Sequence, residues 1–96
     1  MVFMKDKKSW FLYILRCNDN SLYTGITTDV DRRIKEHTEK KGAKYTASKG
    51  VSKLEMVLEF ENRSQATKEE IKIKKLSKLK KETLILNFKY NYNKFE

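Results

Sequence analysis

The stretch WFLYILRC-NDN-SLYTGIT, residues 10–27, constrains this chain more than any other. Residues 10–17 form an apolar run of strand length, and SLYTGIT follows almost at once. The linker Asn18-Asp19-Asn20 has hairpin-turn chemistry. Two registers are open. A two-residue turn at Asp19-Asn20 pairs Asn18 with Ser21 and sends Tyr13 and Tyr23 to opposite faces. A three-residue loop with Asn20 in the left-handed conformation pairs Cys17 with Ser21, Leu15 with Tyr23 and Tyr13 with Gly25. The tyrosines then become diagonal neighbours on one face. Asparagine tolerates that conformation, but the sequence does not choose between the registers.

Downstream, Thr28 is expected to cap a helix, with Asp29 and Asp31 well placed in its first turn. The helix DVDRRIKEHTEKK is expected to stop at Gly42. Its inward stripe is Val30, Arg33, Ile34 and His37, at i, i+3, i+4 and i+7, so an arginine and a histidine share the apolar face. AKYTASKG (43–50) is a loop or a short helix ending at Gly50. KLEMVLEF (53–60) alternates Leu54, Met56, Leu58 and Phe60 against Lys53, Glu55, Val57 and Glu59, the pattern of a third strand. Residues 64–88 are helical, capped at Ser64 and bent or divided near Ser77, with Ala66, Ile73, Leu76 and Leu84 on the buried side. KYNYNKFE closes the chain and is expected to fray. The order β-β-α-β-α-α gives an α+β fold, a small three-stranded antiparallel sheet flanked by helices.

The chain has 96 residues, no proline and only three glycines. No linker divides it, so the expectation is one domain over residues 1–96 with its core between about 10 and 86. Lys+Arg of 22 against Asp+Glu of 13 leaves a net charge of +9, which points to a polyanionic partner. Cys17 is the only cysteine and cannot form an intramolecular disulfide, which fits a reducing compartment. The opening MVFMKDKKSW lacks the pattern of a signal peptide, and no stretch approaches the roughly 20 apolar residues that span a bilayer. The expectation is a cytoplasmic protein without membrane contact.

Each chemical candidate alone has a plain reading. A tyrosine in an apolar strand is usually core. Arg33 packs its stem and keeps its head wet, and His37 is a histidine at the edge of the core. Glu69 and Glu70 pair with nearby lysines, and a lysine run is usually a solvated face.

Together they form a pattern. The run Tyr13, Tyr23-Thr24-Gly25, Arg33 and His37 resembles the GIY-YIG nuclease domain, in which two tripeptides on adjoining strands precede an R-x-x-x-H helix. The first tripeptide here is Leu12-Tyr13-Ile14. The stretches YILRCNDNSLYTGITTDVDRRIKEH, GAKYT and EIKIKKLSK are most similar to the small stand-alone bacterial members, the UPF0213 or YhbQ-like family. The resemblance spans about Trp10 to Leu86. It implies a central three-stranded antiparallel sheet and divalent-metal-dependent cleavage of DNA with Mg²⁺ or Mn²⁺. It also implies Tyr13, Tyr23, Arg33, His37 and Glu70 as catalytic residues, Gly25 as the motif glycine and Glu70 as the metal ligand. Leu12 replaces the glycine of the first tripeptide. An asparagine that follows the glutamate in the excision-repair members has no clear match. Larger members carry a separate DNA-binding domain, for which this chain has no room.

These residue types suit phosphodiester hydrolysis. One carboxylate plus water is a normal Mg²⁺ site, and the ion stabilises a departing oxygen. Arg33 offers a permanently charged fork to phosphate. His37 is a proton acceptor for Tyr13 or positions water, and Tyr23 orients phosphate or water. Lys44, Lys72, Lys74, Lys75 and Lys78 are expected to contact nucleic acid, as are Lys80 and Lys81. Without turnover, the same lysines would describe a basic binding module. The sequence leaves open DNA against RNA, the structure of the substrate and a targeting protein partner. Periodicity does not choose between Glu69 and Glu70: with Leu76 in the stripe, Glu69 lies nearer its centre and Glu70 nearer its edge.

Overall fold

The computed structural model describes residues 8–94, so the first seven residues of the opening segment and the last two of KYNYNKFE lie outside the described residues. Strands β1 (Trp10–Cys17), β2 (Leu22–Thr27) and β3 (Val51–Phe60) form one antiparallel sheet in the order β2-β1-β3. Helices α1 (Val30–Thr38) and α2 (Lys44–Lys49) lie between β2 and β3, and α3 (Arg63–Lys74) and α4 (Lys78–Lys94) follow. This is the α+β arrangement expected, with AKYTASKG resolved as the short helix α2.

The hairpin takes the three-residue loop. Asn20 has φ of 73°, Cys17 N–H donates to the Ser21 carbonyl at 2.8 Å, and Asn20 N–H donates back to the Cys17 carbonyl at 2.9 Å. Tyr13 therefore stands opposite Gly25 and Leu15 opposite Tyr23. The central strand β1 divides its side chains between two environments. Leu12 and Ile14 join Met56, Ile73 and Ile85 in the apolar core. Tyr13, on the alternate face, meets His37 of α1. The core is thus built mostly against the second pair of helices, which leaves the other face available for polar groups.

Four expected boundaries move. Asp29, not Thr28, caps α1, its side chain accepting from Arg32 N–H at 3.0 Å, because the Thr27 hydroxyl has already taken the Asp29 N–H. The helix stops before Gly42. Lys41 N–H donates to the Glu36 carbonyl and Lys40 N–H to that of His37, a paired C-terminal closure with Lys40 left-handed at φ 64°. At the third helix, Asn62 rather than Ser64 provides the cap, accepting from Gln65 N–H at 2.9 Å. The break near Ser77 is real, and the Ser77 hydroxyl accepts from Lys80 N–H at 3.2 Å to start α4. That helix continues through Lys94, well beyond residue 88.

The alternation expected in β3 fails at one place. Ile14 pairs with Met56 but Leu15 pairs with Leu54, so Glu55 is an extra residue in the strand. The bulge leaves Leu54 41% exposed and buries Glu55. A buried carboxylate needs partners. Arg16 Nε donates to it at 2.8 Å and Lys89 of α4 donates from the other side. Arg16 also forks onto Glu82 of α4, which pairs with Lys78 at 3.1 Å. Charges thus fasten α4 to the sheet.

Burial alone would raise the Glu55 carboxyl, but Lys89 and Arg16 outweigh it and hold the group below the usual range. Arg16 chiefly, with Lys78, holds Glu82 at about 2. Both carboxyls are depressed in the folded state. Their stabilisation is therefore complete above the unfolded value of about 4.3 and is lost as pH falls below it, for Glu82 through about 2 and for Glu55 through its own depressed value. Glu55→Gln is expected to cost about 2–3 kcal/mol at pH 7. That is less than a fully buried broken pair, because Arg16 keeps Glu82 and Lys89 can reach water. Urea unfolding from pH 7 to pH 2 checks this. The wild-type midpoint should fall through the acid range, and the variant should start lower and fall less. An unchanged midpoint at pH 7 would show the cluster to be idle.

Candidate active site

Gly25 is what lets Tyr13 lie flat across the hairpin. A Cβ at position 25 would sit 2.4 Å from the Tyr13 hydroxyl oxygen and 2.6 Å from Cζ. With that space open, the Tyr13 hydroxyl reaches His37 Nε2 at 2.9 Å. The other ring nitrogen, Nδ1, meets the Thr46 hydroxyl at 2.7 Å, and that hydroxyl donates to the Ala43 carbonyl at 3.0 Å. Threonine has one proton to give, and we assign it to the Ala43 carbonyl, which can only accept. Nδ1 must therefore carry the histidine proton, and Nε2 of the neutral ring accepts from Tyr13. The order of donation is Tyr13 to His37 to Thr46 to Ala43.

Gly42, expected as the helix stop, serves this chain of hydrogen bonds instead. A Cβ there would lie 2.5 Å from His37 Nδ1, so a side chain at this position would displace the ring that Thr46 reaches. Tyr13, His37 and Thr46 are all fully or almost fully buried, and no buried side-chain polar atom among the described residues lacks a partner.

The surrounding charges act on this chain. Burial pushes the Tyr13 hydroxyl above its usual 10.0, the Arg33 guanidinium beside it pulls the other way, and the charge of Glu70 adds to the rise. Burial lowers His37 below 6.5, and the positive charge of Arg33 lowers it further. The pair is therefore neutral at rest. Burial thus opposes moving the proton from phenol to imidazole while the site is at rest. Arg33 itself is held by Glu36, with Nη1 to Oε1 at 2.8 Å, and half-turns toward solvent.

The structure thus brings Tyr13, His37 and Arg33 together, with Glu70 close enough to act on Tyr13 by charge. Tyr23 adds its ring 5.2 Å from His37 and 6.4 Å from Tyr13, centroid to centroid. The tyrosines share one face, as the three-residue loop requires.

The two glutamates are separated by the end of α3. The helix stops at Lys74, so Leu76 is not part of its periodic face. Ala66 and Ile73 then mark the inward stripe, and Glu70 is the more enclosed of the two, with its side chain 18% exposed against 32% for Glu69. This reverses the expectation that Glu70 lies nearer the edge.

Glu70 holds Lys74 Nζ at 3.2 Å. Among the described residues no group of three or more His, Cys, Asp or Glu side chains is assembled for a metal. One part-buried carboxylate whose charge reaches the Tyr13 hydroxyl fits a hard, largely hydrated cation such as Mg²⁺ or Mn²⁺ and does not fit a zinc cage.

The lysines are dispersed. Lys72 pairs with Glu69 at 3.7 Å and Lys74 with Glu70, while Lys78 belongs to the Glu82 cluster. Lys44, Lys75, Lys80 and Lys81 join no ion pair among the described residues. Lys44 opens α2, next to Tyr45 and Thr46.

Sequence reasoning missed Thr46 and Tyr45. Both lie in the GAKYT stretch, but a threonine and a tyrosine in a six-residue helix carry no periodic signal of their own. Glu36 was also missed, although its i+3 spacing from Arg33 was available.

A family model for the GIY-YIG catalytic domain matches residues 9–83. The chain is 49% identical over 78 residues to a UPF0213 protein of Cupriavidus necator, covering 81% of this chain and 85% of that one. It is 49% identical over 76 residues to the UPF0213 protein YhbQ of Escherichia coli, covering 79% of this chain and 76% of that one. Among solved structures it is similar to the solution NMR structure of a UPF0213 protein from Bacillus halodurans. The TM-score is 0.53 at 48% identity, over 80% of this chain and 82% of the other. Among the described residues no helix is long and apolar enough to cross a membrane.

Proposed function

The chain belongs to the GIY-YIG catalytic domain family, and from that premise we propose that it is a divalent-metal-dependent endonuclease that hydrolyses DNA phosphodiester bonds. The observation that carries this reading is the buried hydrogen-bonded chain Tyr13–His37–Thr46, with Arg33 at its solvent end. A purely structural tyrosine needs no acceptor whose tautomer is held by a third buried group.

In this mechanism Arg33 binds the phosphate oxygens and stabilises the charge that grows on them. A water attacks phosphorus, and its proton passes to the Tyr13 oxygen as the Tyr13 proton passes to His37 Nε2. The two transfers are coupled, since burial disfavours forming phenolate and imidazolium in advance. Thr46 keeps Nε2 free to accept. Tyr23 orients the phosphate or the water. Glu70 would hold a divalent cation, which when bound would supply Lewis-acid stabilisation of the leaving oxygen. Lys44 and the unpaired lysines supply phosphate contacts without sequence choice. The lone buried thiol of Cys17 suits a reducing, cytoplasmic setting.

The test is cleavage of labelled single-stranded, duplex, nicked and branched DNA with Mg²⁺, Mn²⁺ or a chelator. Cleavage with metal and none with chelator is expected. Arg33→Ala should reduce cleavage by at least about 100-fold and leave most of the DNA binding, because Arg33 is one cation among many. Equal loss of cleavage and binding in a folded variant, or no cleavage by the wild type with either metal, would favour a binding module without turnover.

A further inference from the structure

Tyr45 has no part in the hydrogen-bond chain, yet its ring is continuous with the site. It is 40% exposed on α2 and stacks on Tyr23, with centroids 6.1 Å apart and planes 30° from parallel. Tyr23 in turn stands 5.2 Å from His37. A line of rings therefore runs from the buried histidine to solvent and ends at Tyr45. The next residue, Thr46, is anchored under His37, so the turn that secures the histidine also sets where Tyr45 stands.

The charges around this ring suit a nucleotide. Lys49 Nζ lies 5.3 Å from the Tyr45 centroid and is tethered to Asp19 at 2.8 Å. Lys44, on the other side in sequence, joins no ion pair among the described residues. An exposed aromatic ring with the Lys49 ammonium beside it offers a base something to stack on and its phosphate a counter-charge. Among the described residues the Tyr45 side chain makes no hydrogen bond, so its hydroxyl has no internal partner that would account for its position.

We propose that Tyr45 is a stacking platform for an unpaired nucleobase beside the scissile phosphate, so that the site selects strands with an unstacked base over continuous duplex. This rests on the nuclease reading for the word scissile, but not for the binding. Inside a duplex both faces of each base are covered by neighbours, and only a single-stranded, terminal or extruded base presents a face to Tyr45.

The test is binding of labelled twelve-nucleotide dT and rU strands, and of a blunt duplex, by fluorescence anisotropy with chelator present. Tyr45→Ala should weaken the favoured single strand by about 5- to 100-fold, the size of one lost base stack. Its duplex affinity should stay within about twofold, and its salt slope on the strand should not change, because stacking releases no counterions. Tyr45→Phe should restore strand binding, which separates the ring from any general loss of fold. The dT and rU arms show which sugar the site takes. Single-strand binding by Tyr45→Ala within twofold of wild type overturns the proposal. So does equal loss on strand and duplex, or absence of single-strand binding by the wild type. Tyr45-dependent binding without cleavage under any metal would remove the nuclease reading and leave this one standing.

Discussion

Glu70→Gln is expected to abolish metal-dependent cleavage in a protein that remains folded, while Glu69→Gln keeps turnover at saturating Mg²⁺. The two residues are adjacent in sequence and identical in chemistry, so only placement separates them. Glu70 lies on the enclosed side of α3, and its charge is felt by the Tyr13 hydroxyl; Glu69 is more open and pairs with Lys72 at 3.7 Å. Glutamine keeps the shape and removes the charge a hard cation requires. Turnover should fall on the order of 100-fold or more, the scale of one lost electrostatic stabiliser at a reacting phosphate. Stability should change by less than about 1 kcal/mol, because the ion pair with Lys74 is half exposed. Initial rates against Mg²⁺ concentration, with thermal unfolding as the control, decide it. The reverse result moves the metal by one residue, and activity surviving both changes refutes a glutamate-held metal on this helix.

Gly25→Ala is expected to reduce turnover about as severely, for a steric reason. The new methyl would lie 2.4 Å from the Tyr13 hydroxyl oxygen, and Tyr13 is buried with no space to retreat. Relief must come from rotating the phenol off His37 or from moving β2, which is an edge strand and yields more easily than β1. Overpacking of this kind costs about 1–3 kcal/mol of stability. A displacement of about 1 Å at a reacting group costs on the order of 100-fold in rate. Single-turnover rates and urea unfolding on the same preparation measure both. A folded variant cleaving at the wild-type rate would show that the contact between Tyr13 and His37 is not needed for the reaction.

Much of this arrangement is legible in the chain. The strand-loop-strand pattern of residues 10–27, the asparagine able to turn left-handed and the inward Arg33 and His37 are all short-range features. They act over at most four residues on a helix, or across one tight turn. The choice of the three-residue loop belongs to the folded hairpin; once it is made, Tyr13 stands opposite Gly25 and strand alternation puts the two tyrosines on one face.

The remainder depends on contacts between residues far apart in sequence. Glu55 reads as an outward strand position, yet the bulge turns it to Arg16, 39 residues away, and to Lys89, 34 residues away. Gly42 reads as a helix stop, but the helix closes at Lys40, and the glycine is needed for the close approach to His37. Leu76 reads as part of the α3 stripe, but the helix ends at Lys74; without Leu76 the periodicity is indifferent between Glu69 and Glu70, and packing makes Glu70 the enclosed one. Thr46 has no local signature, since its importance lies in one hydrogen bond to a histidine nine residues earlier. Periodicity and turn chemistry report what a residue prefers among its neighbours. Which buried proton, charge or methyl-sized space it meets is set only when the sheet and helices pack, because burial makes each of those contacts costly to leave unmade.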